Sequence, residues 1–293
     1  KPTTGTQCMR VVIKNSGTNT LTSAKINWQV NGSTKTQYSW TGSLAKGDTD
    51  IVCLGNITFK RDTLYVLKTW TSAPNGGTDS MTVNDTLSTQ FYPAMRGIYT
   101  IGGSSPDFTN FTSAVNALNQ SGILDSVYFK VRNGTYSEQF VINKISGADR
   151  LNAITFESEN KDSTKVLLQY NSTSSSSNNY VVKINGTNGL TFKKMTIRNF
   201  SSSYKTVFNI SNGSKNLILS NNIIRNGDST SSSSRTYLIY VNSNRGKNIW
   251  FTNNQINCGS MGLYFYSDYS YRDENIYITN NIFRNQGYYG LYM

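Results

Sequence analysis

The sequence predicts an all-β chain: an antiparallel sandwich, then a parallel β-helix entered through one α-helix. Three observations carry this. A ten-residue line recurs at Leu190–Asn199 (LTFKKMTIRN), Leu217–Asn226 (LILSNNIIRN), Ile249–Cys258 (IWFTNNQINC) and Ile276–Asn285 (IYITNNIFRN). Residues 8 to 90 alternate apolar and polar over short runs broken by turn residues. Only the stretch around Phe108 to Leu118 spaces its apolar residues as a helix does.

In chain order, Met9, Val11 and Ile13 share one face of a first strand, and Ile26, Trp28 and Val30 share a face of the next, which ends at the Asn31-Gly32 turn. Val52 and Leu54, then Leu64, Val66 and Trp70, continue the pattern. Short alternating strands at this spacing predict an immunoglobulin-like sandwich over residues 1–90. The segments VVIKNSGTNTL, INWQVNG, WTGSLAKGD and TSAPNGGTDSMTVNDTL together resemble the CARDB-like, adhesion-type immunoglobulin-like domains of very large secreted and surface proteins of the Bacteroidota.

Residues 91–97, with Pro93, read as a linker, and the β-helix is expected over 98–293, continuing past residue 293. Its capping helix is placed at about 107–121. Ser105 or Asp107 caps the start, Gly122 ends it, and Phe108, Phe111, Val115 and Leu118 form the stripe that should cover the first turn on Val127 and Phe129.

In the repeated line, apolar residues stand at positions one and three, a polar pair follows, and Ile or Phe holds position eight. The anchors Leu190, Leu217, Ile249 and Ile276 are 27, 32 and 27 residues apart, and fainter copies start at Val127 and Ile154. Periods of this size with alternation of two predict strands that stack turn upon turn, about 4.8 Å apart. Asn222, Asn254 and Asn281 share one template position and should form a structural amide ladder along the axis. Lys130, Glu157 and Lys193 share another, on the outer face, with alternating sign. The serine-rich stretches Ser172–Ser177 and Ser229–Ser234 read as loops. With VYFKVRNGTYSEQFVI and ITFESENKDSTKVLLQY, residues 97 to 293 resemble the right-handed β-helices of the pectin-lyase-like superfamily. The likeness is greatest to the non-catalytic versions carried by Bacteroidota surface proteins of the type IX secretion system.

The net charge is +12 without any histidine. A basic balance points to an anionic partner, but no Lys/Arg run exceeds two residues, which argues against specific nucleic-acid binding. No apolar run is long enough for a membrane span. Cys8 and Cys53 fall on strands expected to be neighbours and are a disulfide candidate, leaving Cys258 over; their spacing fits no zinc site, so no metal and no cofactor is expected.

The segment Asn133-Gly134-Thr135-Tyr136-Ser137-Glu138 resembles the GxYxE segment of pectin methylesterases, where it is structural. The aspartates and arginine that the family's chemistry needs have no counterpart at Lys193, Ser220, Thr252 and Thr279, so no catalytic residue is assigned. Tyr264, Tyr266, Tyr269 and Tyr271 are candidate carbohydrate contacts. Thr63, Ser80, Thr86, Ser126, Ser163 and Ser229 sit in Asp-Ser/Thr triplets that look like the O-glycosylation motif of the Bacteroidota. The expectation is a non-enzymatic section of a large secreted or surface-attached adhesin or filament. It would act as spacer and rigid display rod beside adjoining domains of the same chain, in contact with polysaccharide or the cell envelope. The alternative is a carbohydrate-active β-helix enzyme of pectin methylesterase or lyase type.

Overall fold

Each repeated line resolves into two strands that meet at a corner, because its fifth residue takes up a left-handed conformation: Lys194 at φ 58°, Asn221 at 55°, Asn253 at 57° and Asn280 at 55°. Asn tolerates that region better than most residues, so three of the four corners use it. The line read as one strand is thus a strand, a sharp turn, and the start of the next sheet. The structure is a computed structural model that describes residues 1–79, 81–172, 178–201, 205–230, 236–242, 245–266 and 272–293.

The chain divides into two units, Lys1–Ala94 and Met95–Met293. In the first, Gly5–Lys14 pairs antiparallel with Thr49–Phe59, and a second antiparallel sheet is built from Leu21–Val30, Ser33–Thr34, Tyr38–Leu44, Tyr65–Ser72 and Thr86–Phe91. Inward alternation brings Met9, Ile13, Ile26, Trp28, Trp40, Val52, Leu54 and Leu67 into one core. The buried indoles keep their donors satisfied: Trp28 Nε1 donates to Thr36 O at 2.9 Å and Trp40 Nε1 to Asp50 Oδ2 at 2.8 Å. Cys8 and Cys53 are joined by a disulfide, with Cα atoms 5.8 Å apart.

The second unit is a parallel β-solenoid of about six turns. Sheet A stacks Met95–Ile101, Ile123–Val131, Ile154–Ser158, Asn188–Lys193, Lys215–Ser220, Lys247–Thr252 and Glu274–Thr279 in that order. Sheet B stacks Gly134–Ser137, Val166–Tyr170, Thr196–Asn199, Ile223–Thr230, Gln255–Gly259 and Ile282–Arg284; sheet C stacks Phe140–Ile142, Val182–Asn185, Phe208–Ser211, Tyr237–Asn242, Met261–Tyr266 and Tyr289–Tyr292. Leu190, Leu217, Ile249 and Ile276 are direct register partners. The first strand of sheet A begins at Met95, inside the stretch read as a linker.

Inside the solenoid, residues of one column pack along the axis. Phe129, Phe156 and Phe192 stack face over face at 4.6 and 4.9 Å, all without solvent exposure. At the corner between sheets A and B, Asn222, Asn254 and Asn281 deal with the backbone groups the turn would leave unpaired. Asn222 Nδ2 donates to Phe192 O and Asn254 Nδ2 to Leu219 O, one turn back, at 2.9 and 2.7 Å. The Oδ1 atoms of Asn254 and Asn281 accept the N–H groups of Asn222 and Asn254, both at 3.0 Å.

The helix spans Phe111–Ser121, four residues shorter at its start than expected, and neither Ser105 nor Asp107 caps it. Asp107 is engaged elsewhere, its Oδ2 accepting from the N–H and hydroxyl of Thr100. Asn110 is the cap, in a reciprocal pair with Ser113. Glu138 completes it, taking the N–H groups of Phe111 and Thr112 at 3.1 and 2.7 Å. Gly122 ends the helix at φ 64°, where a Cβ would lie 2.6 Å from Ser146 O, so only glycine fits. The buried stripe is Phe111, Ala114, Val115, Ala117 and Leu118, and the Phe111 ring meets Tyr136, Phe140 and Phe156.

Candidate functional site

A strand turns alternate side chains outward, so sheet A presents two columns to solvent. One holds Lys130, Glu157, Lys193, Ser220, Thr252 and Thr279, and the other Tyr128, Thr155, Thr191, Ile218, Trp250 and Tyr277. The column with Lys130 contains the densest charge in the described solenoid.

Register places Glu157 between Lys130 on the preceding turn and Lys193 on the following one. Lys130 Nζ lies 2.9 Å from Glu157 Oε2 and Lys193 Nζ 3.6 Å from the same oxygen. The left-handed corner swings a third ammonium in, Lys194 Nζ standing 3.3 Å from Oε1. The Glu157 side chain is only 7% exposed, against 29–32% for the three lysines. Burial alone would push its carboxyl up, but the hydrogen bond from Lys130 and the charges of Lys193 and Lys194 hold it below the usual carboxylate range. The site is therefore one ionised carboxylate under three partly accessible ammoniums, a formal excess of two positive charges. Such a group can receive an anion and can stabilise negative charge that develops during a reaction.

Lys194 also borders a polar groove of about 240 Å3 whose other walls include Lys161, Ser163, Asn221, Asn253 and Gln255. A larger hollow of about 390 Å3, near Gly102, Asn110, Tyr136 and Glu138, offers less chemistry because Glu138 is consumed by the helix start.

The other nearby acids do not join Glu157. Glu159 pairs with Arg132 at 3.7 Å, and Asp162 accepts the N–H and hydroxyl of Thr164, both at 2.8 Å, which hold its carboxyl below the usual range. Among the described residues no three thiol or carboxylate groups converge as a metal site would need, and no helix is long and apolar enough to cross a membrane.

The aromatic candidates lie on sheet C. Tyr264 is half-buried, Tyr266 exposed, and Tyr269 and Tyr271 fall outside the described residues. Tyr264 belongs to a group the alternation did not reveal, with Tyr237, Tyr240 and Tyr292 around it at 4.9, 5.8 and 4.9 Å between ring centres. On sheet A, Trp250 and Tyr277 stack in parallel at 5.3 Å and cover one face of each other. Of the triplet residues, Thr86 is exposed, whereas the hydroxyls of Thr63 and Ser126 bond to Arg61 O and Leu151 O. Ser163 is half-buried beside the groove. Ser80 and the side chain of Ser229 lie outside the described residues, as do 173–177 and 231–235 of the serine-rich stretches.

No protein-family model matches the chain and no curated protein matches its sequence. Solved structures do. A pectin methylesterase from Aspergillus niger in deglycosylated form is 16% identical with a TM-score of 0.46, the match covering 65% of this chain and 57% of that one. A pectin methylesterase mutant in complex with a hexasaccharide is 11% identical with a TM-score of 0.44, over 58% of this chain and 52% of that one. The chain thus spans little more than half the length of either.

These findings correct the expectation of a non-enzymatic spacer and display rod. The similar solved structures are of enzymes. The column of Lys193, Ser220 and Thr252 also contains a carboxylate, Glu157, one turn earlier than the positions considered.

Proposed function

We propose that the solenoid is a carbohydrate-active β-helix that binds an acidic polysaccharide along the outer face of sheet A and hydrolyses ester groups on it. The observation that carries this reading is the buried Glu157 carboxylate held by Lys130, Lys193 and Lys194 in an outward column. Two excess positive charges suit a uronate carboxylate. Glycosidic cleavage by the usual route needs a second carboxylate roughly 5–9.5 Å from the first, and Glu159 and Asp162 are committed elsewhere. Ester hydrolysis needs one acceptor and a cationic environment for the oxyanion. Glu157 accepts the proton of the attacking water as its oxygen bonds to the ester carbon, and Lys193 and Lys194 turn from Glu157 to the tetrahedral oxygen as its charge grows; collapse then breaks the bond from carbon to the ester oxygen, and Glu157 returns the proton to the leaving alcohol. Losing their hold raises the basicity of Glu157 at the moment it is needed.

Residues 1–90 are read as an immunoglobulin-like sandwich; two antiparallel sheets over one core support this. The helix is read as a plug on the solenoid, supported by its buried stripe. The Cys8–Cys53 bond supports an oxidising, extracellular setting.

The test is incubation of the full chain with methyl-esterified and acetylated polygalacturonate, following methanol, acetate and reducing ends. Release of alcohol or acid without new reducing ends, abolished in Glu157→Gln, is expected. Neither release nor retention on any acidic polysaccharide would sink the reading.

A further inference from the structure

The outward side of sheet C differs from that of sheet A in having no charged residue in its last three described strands. Tyr240, Tyr264 and Tyr292 are direct register partners and so stand one per turn in a single column. Tyr237 packs against two of them, at 4.8 Å from Tyr240 and 4.9 Å from Tyr264, and Tyr289 lies 5.5 Å from Tyr292. The outward strand residues beside them are Asn242, Met261 and Tyr266. Lys183, on the second of the six strands, is the only charged residue in the described strands of this sheet.

A ladder of stacked rings stabilises parallel strands without any ligand, and that role accounts for the inner part of each tyrosine. It does not account for the hydroxyls. Those belong to a column that stays partly open to solvent, Tyr240 and Tyr264 half-buried and Tyr292 exposed. Leucine or phenylalanine would stack as well and bury more. Tyr266, Tyr289 and Tyr292 remain between 44% and 51% exposed. Two of the hydroxyls are held protonated over the physiological range: burial, with the neighbouring Tyr237, Tyr264 and Tyr266, pushes Tyr240 up to about 12, and burial raises Tyr264.

We infer that this tyrosine face is a second carbohydrate-binding surface, distinct from the Glu157 site, that takes an uncharged polysaccharide laid along the solenoid axis. Ring edges supply apolar contact at low entropic cost, and one neutral hydroxyl per turn, about 4.8 Å apart, supplies repeating donors and acceptors. Charge selects the ligand. In a chain of net charge +12 an anionic polymer is drawn to lysine-bearing faces, whereas the described strand residues of the last three turns of this face offer it no counter-charge. An uncharged chain gives up nothing by binding here. The face would hold the protein on a mixed polysaccharide matrix while sheet A works on the acidic component.

Native affinity electrophoresis of the full chain in gels containing hydroxyethylcellulose, xylan or galactomannan tests this. Retardation by at least one of the three is expected. It should fall at least fivefold in Y240A/Y264A and drop by a smaller factor in Y240F/Y264F, which keeps the rings and removes only hydroxyls, and it should persist in Glu157→Gln. The phenylalanine pair keeps the test valid if the alanine pair does not fold. Unretarded wild-type protein in all three gels would overturn the inference, as would retardation equal in wild type and Y240F/Y264F. Concentration-dependent self-association abolished by Y240F/Y264F would overturn it too, by assigning the face to a second copy. Because ester hydrolysis is read separately, its failure leaves this result intact.

Discussion

Sheets A and C of the solenoid are built on the same rung spacing and share one apolar interior, yet their outward columns are filled in opposite ways. Sheet A concentrates charge in adjacent turns, with Lys130, Glu157 and Lys193 in register and Lys194 reaching in from the corner. Sheet C removes charge and repeats one aromatic residue, Tyr240 over Tyr264 over Tyr292. The interior cannot cause the difference, since both sheets bury aliphatic and phenylalanine side chains with near-zero exposure. A solenoid separates the two tasks: inward positions supply stability, and outward positions, linked only through rung spacing, are free to diverge. The charged cluster is local, at one level of the axis. The tyrosine face is distributed over three.

That contrast can be broken most decisively at Glu157. Glu157→Gln should lower ester hydrolysis by at least about 100-fold, the scale of losing a general base, while leaving retention on uncharged polysaccharide unchanged. Equal loss of both in enzymatic and gel assays would mean that the two faces are not independent. Phe156→Ala comes next for stability. It removes the middle ring of the stack that underlies the charged cluster, at a cost of about 3–5 kcal/mol in chemical denaturation. Tyr264→Phe, at the surface, should change stability by less than about 0.5 kcal/mol. A large effect would make the tyrosine column structural.

Lys193→Ala with Lys194→Ala removes two of the three ammoniums. Binding to polygalacturonate should weaken roughly tenfold at low salt and show a shallower dependence on ionic strength. Titration of the binding should leave the uncharged-polymer interaction untouched. The smallest effect concerns acid. Because the folded protein holds Glu157 below its ordinary value, the ion pairs stabilise the fold above about pH 4.3, the free glutamate range. That contribution is lost as pH falls through the lower folded value. Thermal denaturation against pH should show this loss in the wild type and not in Glu157→Gln; identical profiles would mean the carboxylate is not held in the pairs.

Several of these features differ in how far they can be read from residues alone. The stacking of sheet A is legible because inward residues recur on every turn: Leu190, Leu217, Ile249 and Ile276 align by eye and are register partners. Sheet boundaries are harder. The corner inside each line depends on a single left-handed residue, and Lys194 carries no local signal for that conformation where Asn221, Asn253 and Asn280 do. The helix start was misplaced for a similar reason. Asp107 and Asn110 are both good caps, and the choice is made by Thr100, which engages Asp107, and by Glu138, which supports the turn after Asn110.

The candidate site was visible only in part. Glu157 and its two register lysines fall out of the template, and alternation of sign was enough to make them look like solvated stacking. The third ammonium on that carboxylate is Lys194, 37 positions away and brought in by the corner. Likewise Tyr237 and Tyr264 are 27 residues apart and touch because the turn between them closes.

What the amino-acid order determined by itself is the repeat: which residues point inward, how long each turn is, and that strands stack in parallel. Hydrophobic periodicity is a local property, and burial follows it whatever lies on the neighbouring turn. Closure of the turns alone decided which outward groups meet, and therefore which carboxylate is surrounded by ammoniums and which tyrosines share a column. Electrostatic and aromatic contacts fall off over a few ångströms, and those distances are set by the coil of the chain, not by its spacing along the sequence.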